Sequence, residues 1–299
     1  MCAATSVCRE LIIGWSVDRG HPGPRQSEFG QACFGDYRRV HASKSGYELE
    51  VEDHFEGDRL DERLWIPYYL PHWSSREASA PRYALRDGAL RLMIEADQQP
   101  WCPEFDGWLR VSSLQTALFT GQHRFREGLV VREPQSYVAL YTPQYGLFEI
   151  RARAIEDPSN MVSLWMIGCG DEPHRSAEIC VFEIFGRDVH ATHAAVGMGV
   201  HPFGDPLIRE EFVREEIAID VRDFHTYAAE WTPEQVAFYV DEELIKVVAQ
   251  SPAYPMQLML GIYEFAEGPT LPVSGRYPKE FVVDLFRGYR PAGLGGRRP

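Results

Sequence analysis

The sequence has no basic excess: 30 lysines and arginines stand against 44 aspartates and glutamates, a formal net charge of -14. Nucleic acid and anionic membrane surfaces require a basic footprint, so neither is expected as a partner. No stretch approaches the roughly 18 apolar residues of a membrane span. Near the start only the short "LIIGW" stands where a signal peptide carries a longer apolar region, so export is not indicated and a cytoplasmic location follows by default. The six cysteines (Cys2, Cys8, Cys33, Cys102, Cys169 and Cys180) show no Cys-x-x-Cys spacing, which signals neither a zinc site nor a redox pair. Cys169 and Cys180 flank a loop and are the one pair that a hairpin could bring face to face.

Several motifs are missing as well. There is no Gly-x-Ser-x-Gly elbow, no phosphate-binding Gly-x-x-x-x-Gly-Lys loop and no His-Glu-x-x-His. "GMGVHPFG" has two glycines of a dinucleotide fingerprint at the wrong spacing. "HATH" sets His190 and His193 three apart, on opposite faces if the segment is a strand, which argues against joint metal ligation.

What is present is the material of a large core. Apolar residues make up 44% of the 299 positions and charged ones 25%, the balance of a globular chain. Residues 1–46 mix Gly, Pro, Arg and Ser without apolar periodicity and read as a loosely ordered N-terminal extension, and residues 292–299 read as a tail. Between them, residues 47–291 form one body without internal repeats or linkers. In "YGLFEIRARA", Phe148, Ile150, Ala152 and Ala154 alternate with Leu147, Glu149, Arg151 and Arg153, the pattern of a strand with one packed face. "QVAFYVDEELIKVV" reads as two strands about an acidic turn at Asp241 to Glu243. "ALRLMIEA", "QLMLGIYEF" and "EFVVDLFRGYR" add further strands, and long amphipathic helices are scarce. The expected fold is all-β, a sandwich or barrel.

The stretch "RSAEICVFEIFGRD" raises a question of parity. In an unbroken strand Glu178 and Glu183, five apart, point to opposite faces, and Glu183 is buried beside Ile179 and Val181 at a cost of several kcal/mol. One extra residue near Val181 and Phe182, a β-bulge, reverses the parity. Glu178, Cys180 and Glu183 then share one face and the apolar residues share the other. A short helix also fits Ile179, Phe182 and Phe185. With the bulge, the glutamates stand about 13 Å apart at Cα, at about 3.3 Å per residue. On a curved sheet their carboxyl groups can approach the ~5 to 5.5 Å of a retaining glycosidase. The plain alternative is two solvated glutamates on an exposed strand.

The order of motifs resembles that of glycoside hydrolase family 16, the laminarinase and β-glucanase family. "DHFEGDRLDERLW", "YALRDGALRLMI", "YGLFEIRARA", "VSLWMIG", "EICVFE", "DFHTYAAEWTPEQVAFYVDEELI" and "FVVDLFRGYR" follow in the family's sequence, from about Glu52 to Arg290. The resemblance implies a concanavalin-like β-jelly roll of two curved antiparallel sheets. It implies a monomeric, retaining endo-glycoside hydrolase acting on a β-glucan or related polysaccharide, with Glu178 as nucleophile and Glu183 as general acid/base. A transglycosylase, or a lectin-like binding protein that has lost catalysis, are the alternatives on the same fold. The family is usually secreted, in tension with this N-terminus.

The family's motif is Glu-x-Asp-x-x-Glu, and here Cys180 takes the place of the aspartate. A thiol is a weak donor without the negative charge that helps keep a proton on the acid/base. Met161 and Val162 stand where the family often has Trp-Pro. Trp165 and Trp231 are candidates for stacking on sugar rings, and His193 and His201 are candidates for holding sugar hydroxyls. No cofactor is required for the reaction. By the same resemblance a structural calcium is expected at Asp53, the Gly88 carbonyl and Asp284, oxygen donors that suit that ion.

Overall fold

The computed structural model describes residues 44–170, 172–266, 268 and 275–293. Most of the N-terminal extension and of the C-terminal tail, including Cys2, Cys8 and Cys33, lies outside the described residues. The strands are β1 (Tyr47–Asp53), β2 (Arg82–Arg86), β3 (Ala89–Ile94), β4 (Arg110–Gln115), β5 (Ala117–Leu118), β6 (Val138–Ala139), β7 (Gly146–Arg153) and β8 (Asn160–Gly168). They continue with β9 (Glu178–Phe185), β10 (Ala194–His201), β11 (Glu211–Ile217), β12 (His225–Trp231), β13 (Val236–Val240), β14 (Glu243–Val248), β15 (Met256–Glu264) and β16 (Lys279–Pro291). The described helical segments are single turns.

Two antiparallel sheets carry the fold. One runs β14-β13-β12-β7-β16-β3-β2, with β1 extending the β3 edge of β16; the other runs β11-β10-β9-β8-β15-β4. Alternation builds the space between them. Phe148, Ile150 and Ala152 of β7 and Tyr227, Ala229 and Trp231 of β12 meet Val162, Leu164 and Met166 of β8 and Val196, Met198 and Val200 of β10 in one apolar core. At about 25 cal/mol per Å² of apolar surface, burial of that layer is the main force holding the sheets together. The acidic turn between β13 and β14 has left-handed backbone at both Asp241 (φ 48) and Glu242 (φ 68), the twist that a two-residue hairpin needs.

The six-stranded sheet is packed on its outer face too. Met161, Trp165, Ile167, Cys180, Phe185, Met259 and Tyr263 point away from the core and meet loop residues Tyr69, Leu70, Trp73, Trp101 and Phe125. This second cluster is why β8, β9, β10 and β15 are buried along their whole length, and its surface carries the site.

Candidate active site

The bulge is at the middle of β9. Toward β8, Glu178, Ile179 and Cys180 stand opposite Ile167, Met166 and Trp165, and the register then skips one residue before Phe182 meets Leu164. Toward β10, Cys180 faces Gly199 and Glu183 faces Gly197, so three steps on β9 span two on its neighbour. The extra residue sorts the strand: Ile179, Val181, Phe182 and Ile184 enter the core, and Cys180 and Phe185 enter the outer cluster. Glu178 and Glu183 lie on the outer face with Cys180 between them. The thiol reaches Glu183 Oε1 at 3.7 Å, and ligand atoms of Glu178, Cys180 and His201 all lie within 4.8 Å of one another.

Neighbouring strands complete the surroundings. Glu178 shares a row with His201 on β10, Ile167 on β8 and Gln257 on β15. Glu183 shares a row with Gly197, Ser163, Gly261 and Ser113, all small. A larger side chain does not fit at Gly199: a Cβ there would lie 2.3 Å from the Glu211 carbonyl oxygen, and its φ is +145. The two glycines let β11 fold its Phe212 against His201, ring on ring at 4.6 Å.

The electrostatics follow from enclosure. Glu178 and Glu183 are only 2% and 4% exposed, and Glu178 Oε1 has no hydrogen-bond partner among the described residues. Burial pushes the Glu178 carboxyl up to about 8; the imidazole of His201 opposes this, while the charges of Glu183 and Glu210 add to it. Burial works against the imidazolium of His201, yet the Glu210 hydrogen bond and the nearby carboxylates outweigh it and raise the group above its ordinary value. Glu210 Oε1 holds His201 Nδ1 at 2.7 Å. A carboxyl group that keeps its proton thus stands beside an imidazole that readily takes one, with a second carboxyl group across the thiol. These are the parts of acid/base and nucleophilic chemistry.

The predicted site residues do not all gather there. Trp165 lies opposite Cys180, but its ring is buried in the outer cluster and its Nε1 donates to the Tyr263 hydroxyl at 3.1 Å. It braces the site from below. Trp231 is a correction to the stacking assignment: it lies between the sheets with Tyr145 and Phe148 against it, and its Nε1 donates to Ser251 Oγ at 2.8 Å. The alternation of β12 dictates this, because Trp231 has the parity of Tyr227 and Ala229. His193 is a second correction. It sits in the turn before β10, exposed beside His190 and within 3.8 Å of Glu216, at the opposite end of the strand from His201.

His201 is the last residue of β10 and is 2% exposed. Glu210 and Phe212, which orient it, are the functional residues that sequence reasoning missed; Glu210 lies in an acidic run with nothing to single it out. Cys169 and Cys180 form no disulfide with each other, because Cys180 stands across the hairpin from Trp165.

On the other sheet, β16 meets β3 as far as Val283 and β1 from Phe286, with Asp284 skipped in its register to β7. That junction brings Asp53, opposite Phe286, toward the Gly88 turn and Asp284. Asp53 accepts from the Phe55 N–H at 2.7 Å and Trp65 Nε1 at 2.9 Å. Asp284 pairs with Arg151 through one oxygen, and its buried Oδ1 has no hydrogen-bond partner among the described residues. An all-oxygen set with a buried, unpartnered carboxylate oxygen fits a hard cation.

Residues 136–270 match the model of glycosyl hydrolases family 16. A beta-glucanase of Rhodothermus marinus is 32% identical over 106 residues, 33% of this chain and 36% of its own length. The endo-1,3-1,4-beta-glycanase EglC of Rhizobium meliloti (strain 1021) is 25% identical over 237 residues, 77% of this chain and 43% of its own. The chain therefore spans well under half the length of these curated relatives. Among solved structures, a GlcNAcα1-4Gal releasing endo-β-galactosidase from Clostridium perfringens superposes with a TM-score of 0.74 at 30% identity, over 86% of this chain and 66% of that one. The catalytic domain of a Thermotoga petrophila laminarinase shares the fold, with a TM-score of 0.59 at 19% identity, over 82% and 98% of the two chains. Two packed antiparallel sheets, a bulged strand bearing two glutamates and the match over residues 136–270 lead to one conclusion: the chain is similar to the glycosyl hydrolases of family 16.

Proposed function

We propose that the protein is a retaining endo-glycoside hydrolase acting on a β-linked polysaccharide. The observation that carries this reading is the bulge that sets Glu178 and Glu183 on one face of β9 with Cys180 between them. In the first step Glu183 donates its proton to the glycosidic oxygen while the Glu178 carboxylate attacks the anomeric carbon. The C–O bond to the leaving sugar breaks and a glycosyl ester forms on Glu178. In the second step Glu183 takes a proton from water, whose oxygen displaces Glu178 and restores the original anomeric configuration. His201 faces the nucleophile and favours its charged form. The small residues on the Glu183 row give a sugar ring room to lie against the strand.

The substrate class is a β-glucan or a related β-linked polymer. Similarity to the Clostridium endo-β-galactosidase is the reason to include β-galactosidic linkages beside β-glucosidic ones in this reading. A calcium ion held by Asp53, Asp284 and the Gly88 carbonyl is proposed as structural support, remote from the chemistry. A binding protein on the same fold is the second reading, favoured by one observation: a Glu178 that keeps its proton near neutrality is a poor nucleophile. If a sugar hydroxyl replaces water in the second step, the outcome is transglycosylation.

The test is incubation with β-1,3-glucan, mixed-linkage glucan and galactan polymers, scoring new reducing ends and retention on the polymer. New reducing ends that disappear in Glu178→Gln support the hydrolase. Retention without cleavage supports the binding protein, and neither cleavage nor retention on any polymer rejects both.

A further inference from the structure

Three residues of the site form a set with a chemistry beyond the glycosidase reaction, which uses Glu178 and His201 but gives the Cys180 thiol no step. Glu178, Cys180 and His201 bring a carboxylate, a thiol and an imidazole within 4.8 Å of one another, from two adjacent strands whose pairing fixes His201 opposite Glu178. All three are buried. A tetrahedral zinc ion bonds sulfur at ~2.3 Å and nitrogen or oxygen at ~2.0 to 2.2 Å, so its ligand atoms lie about 3.4 Å apart. Small side-chain rotations close the present spacing to that value.

Two further observations point to a ligand. Glu178 Oε1 is buried without a hydrogen-bond partner among the described residues, the condition of an atom that a bound group would satisfy. Glu210 holds His201 Nδ1 at 2.7 Å, which directs Nε2 outward as the ligating nitrogen, the carboxylate–histidine support usual for zinc. Glu183, 3.7 Å from the thiol, stands ready as a fourth ligand, or a water completes the set.

We propose that Glu178, Cys180 and His201 form a zinc-binding site superimposed on the catalytic pair, so that zinc and substrate exclude one another. A thiolate and an imidazole select zinc over calcium or magnesium. On binding, the Cys180 and Glu178 protons, and any proton on the ligating nitrogen of His201, leave to solvent; sulfur, oxygen and nitrogen each donate an electron pair to the metal, and no electron is transferred. Bound zinc withdraws the Glu178 carboxylate from attack. The site depends on Cys180, the position at which this chain departs from the family's motif. Occupancy does not depend on the hydrolase reading; competition with substrate does.

The test uses the full chain, stripped of metal by chelation, then titrated with Zn²⁺ against a chromophoric chelator and with Co²⁺ by absorption. We expect tight binding of one Zn²⁺, weakened at least tenfold in Cys180→Ser and in Glu178→Gln. We also expect a thiolate-to-cobalt charge-transfer band that disappears in Cys180→Ser and survives replacement of Cys2, Cys8 and Cys33 by serine. Persistence of the band in Cys180→Ser, its loss in the triple variant, or no band in the natural chain overturns the site. If a polymer is cleaved, Zn²⁺ should inhibit competitively; cleavage indifferent to saturating Zn²⁺ overturns the exclusion alone. A protein that cleaves nothing still reports the metal site through the titrations.

Discussion

Cys180 and Glu178 set the chemistry of the site between them. Glu178 keeps its proton to about pH 8 in the fold, whereas in an unfolded chain it releases it near the ordinary carboxylate value. Between those two pH values the folded state binds the extra proton, so stability falls as pH rises through this window. Glu178→Gln removes the loss. In metal-free buffer its melting temperature should match the natural chain at pH 4 and exceed it at pH 9, by an amount equivalent to as much as ~5 kcal/mol. Equal melting temperatures at pH 9 would show that Glu178 ionises freely. For catalysis the same proton must leave first, so kcat/KM is expected to climb up to about pH 8. Cys180→Asp puts a carboxylate beside Glu183, helps it hold its proton, and should raise activity and extend the alkaline limb; an unchanged pH profile would contradict that role. Much of this was legible in "EICVFE": the two glutamates, the bulge that reconciles their parity, and the odd cysteine. The importance of His201 was not, because its burial depends on Phe212 and Glu210 from the next strand.

Strand pairing carries the site's geometry from β9 to its neighbours. Gly197 and Gly199 on β10 stand opposite Glu183 and Cys180, and the Gly199 backbone passes too close to β11 for a side chain. Gly199→Ala forces β11 and Phe212 outward and loosens His201. Its expected cost is about 1 to 3 kcal/mol, with a fall in activity larger than that of a surface substitution; full activity and an unchanged melting temperature would refute the tight packing. The strands themselves were readable from alternation, as "YGLFEIRARA" and the hairpin about Asp241 illustrate. Alternation does not say which face of a doubly packed strand meets the other sheet. Trp231 is the simpler case: on β12, with one packed face, it has the parity of Tyr227 and Ala229 and goes to the core, not to a sugar. The "GMG" glycines carry no signal as a fingerprint, and only the β10–β11 pairing explains them.

Long loops decide how the sandwich presents its outer face. The segment around His72 and Trp73 and the loop at Gln122 and His123 cover the six-stranded sheet with buried polar groups: His72 Nε2 and Trp73 Nε1 both donate to the Gln122 carbonyl, at 2.9 and 3.0 Å. Gln257 Nε2 donates to His123 Nε2 at 3.1 Å. Such cover has no periodicity, so the sequence does not reveal it. Burial lowers His72 to about 4 and, with the neighbouring His72 adding, His123 to about 3. Below about pH 6.5 an unfolded chain takes up protons that these residues refuse in the fold, so stability falls as the solution is acidified toward pH 3. The double variant His72→Gln, His123→Gln should lose melting temperature less steeply between pH 6.5 and 4 than the natural chain. Identical slopes would assign acid sensitivity to other groups.

The paired glutamates are tested most directly by trapping the reaction on a polymer that the protein cleaves. Acid-quenched enzyme is digested with a protease and its peptides are weighed by mass spectrometry. A glycosyl adduct on the peptide carrying Glu178, absent in Glu178→Gln and accumulating in Glu183→Gln with an activated glycoside, is the predicted result. An adduct on Glu183 or on any other residue, or products of inverted configuration with no adduct, would contradict it.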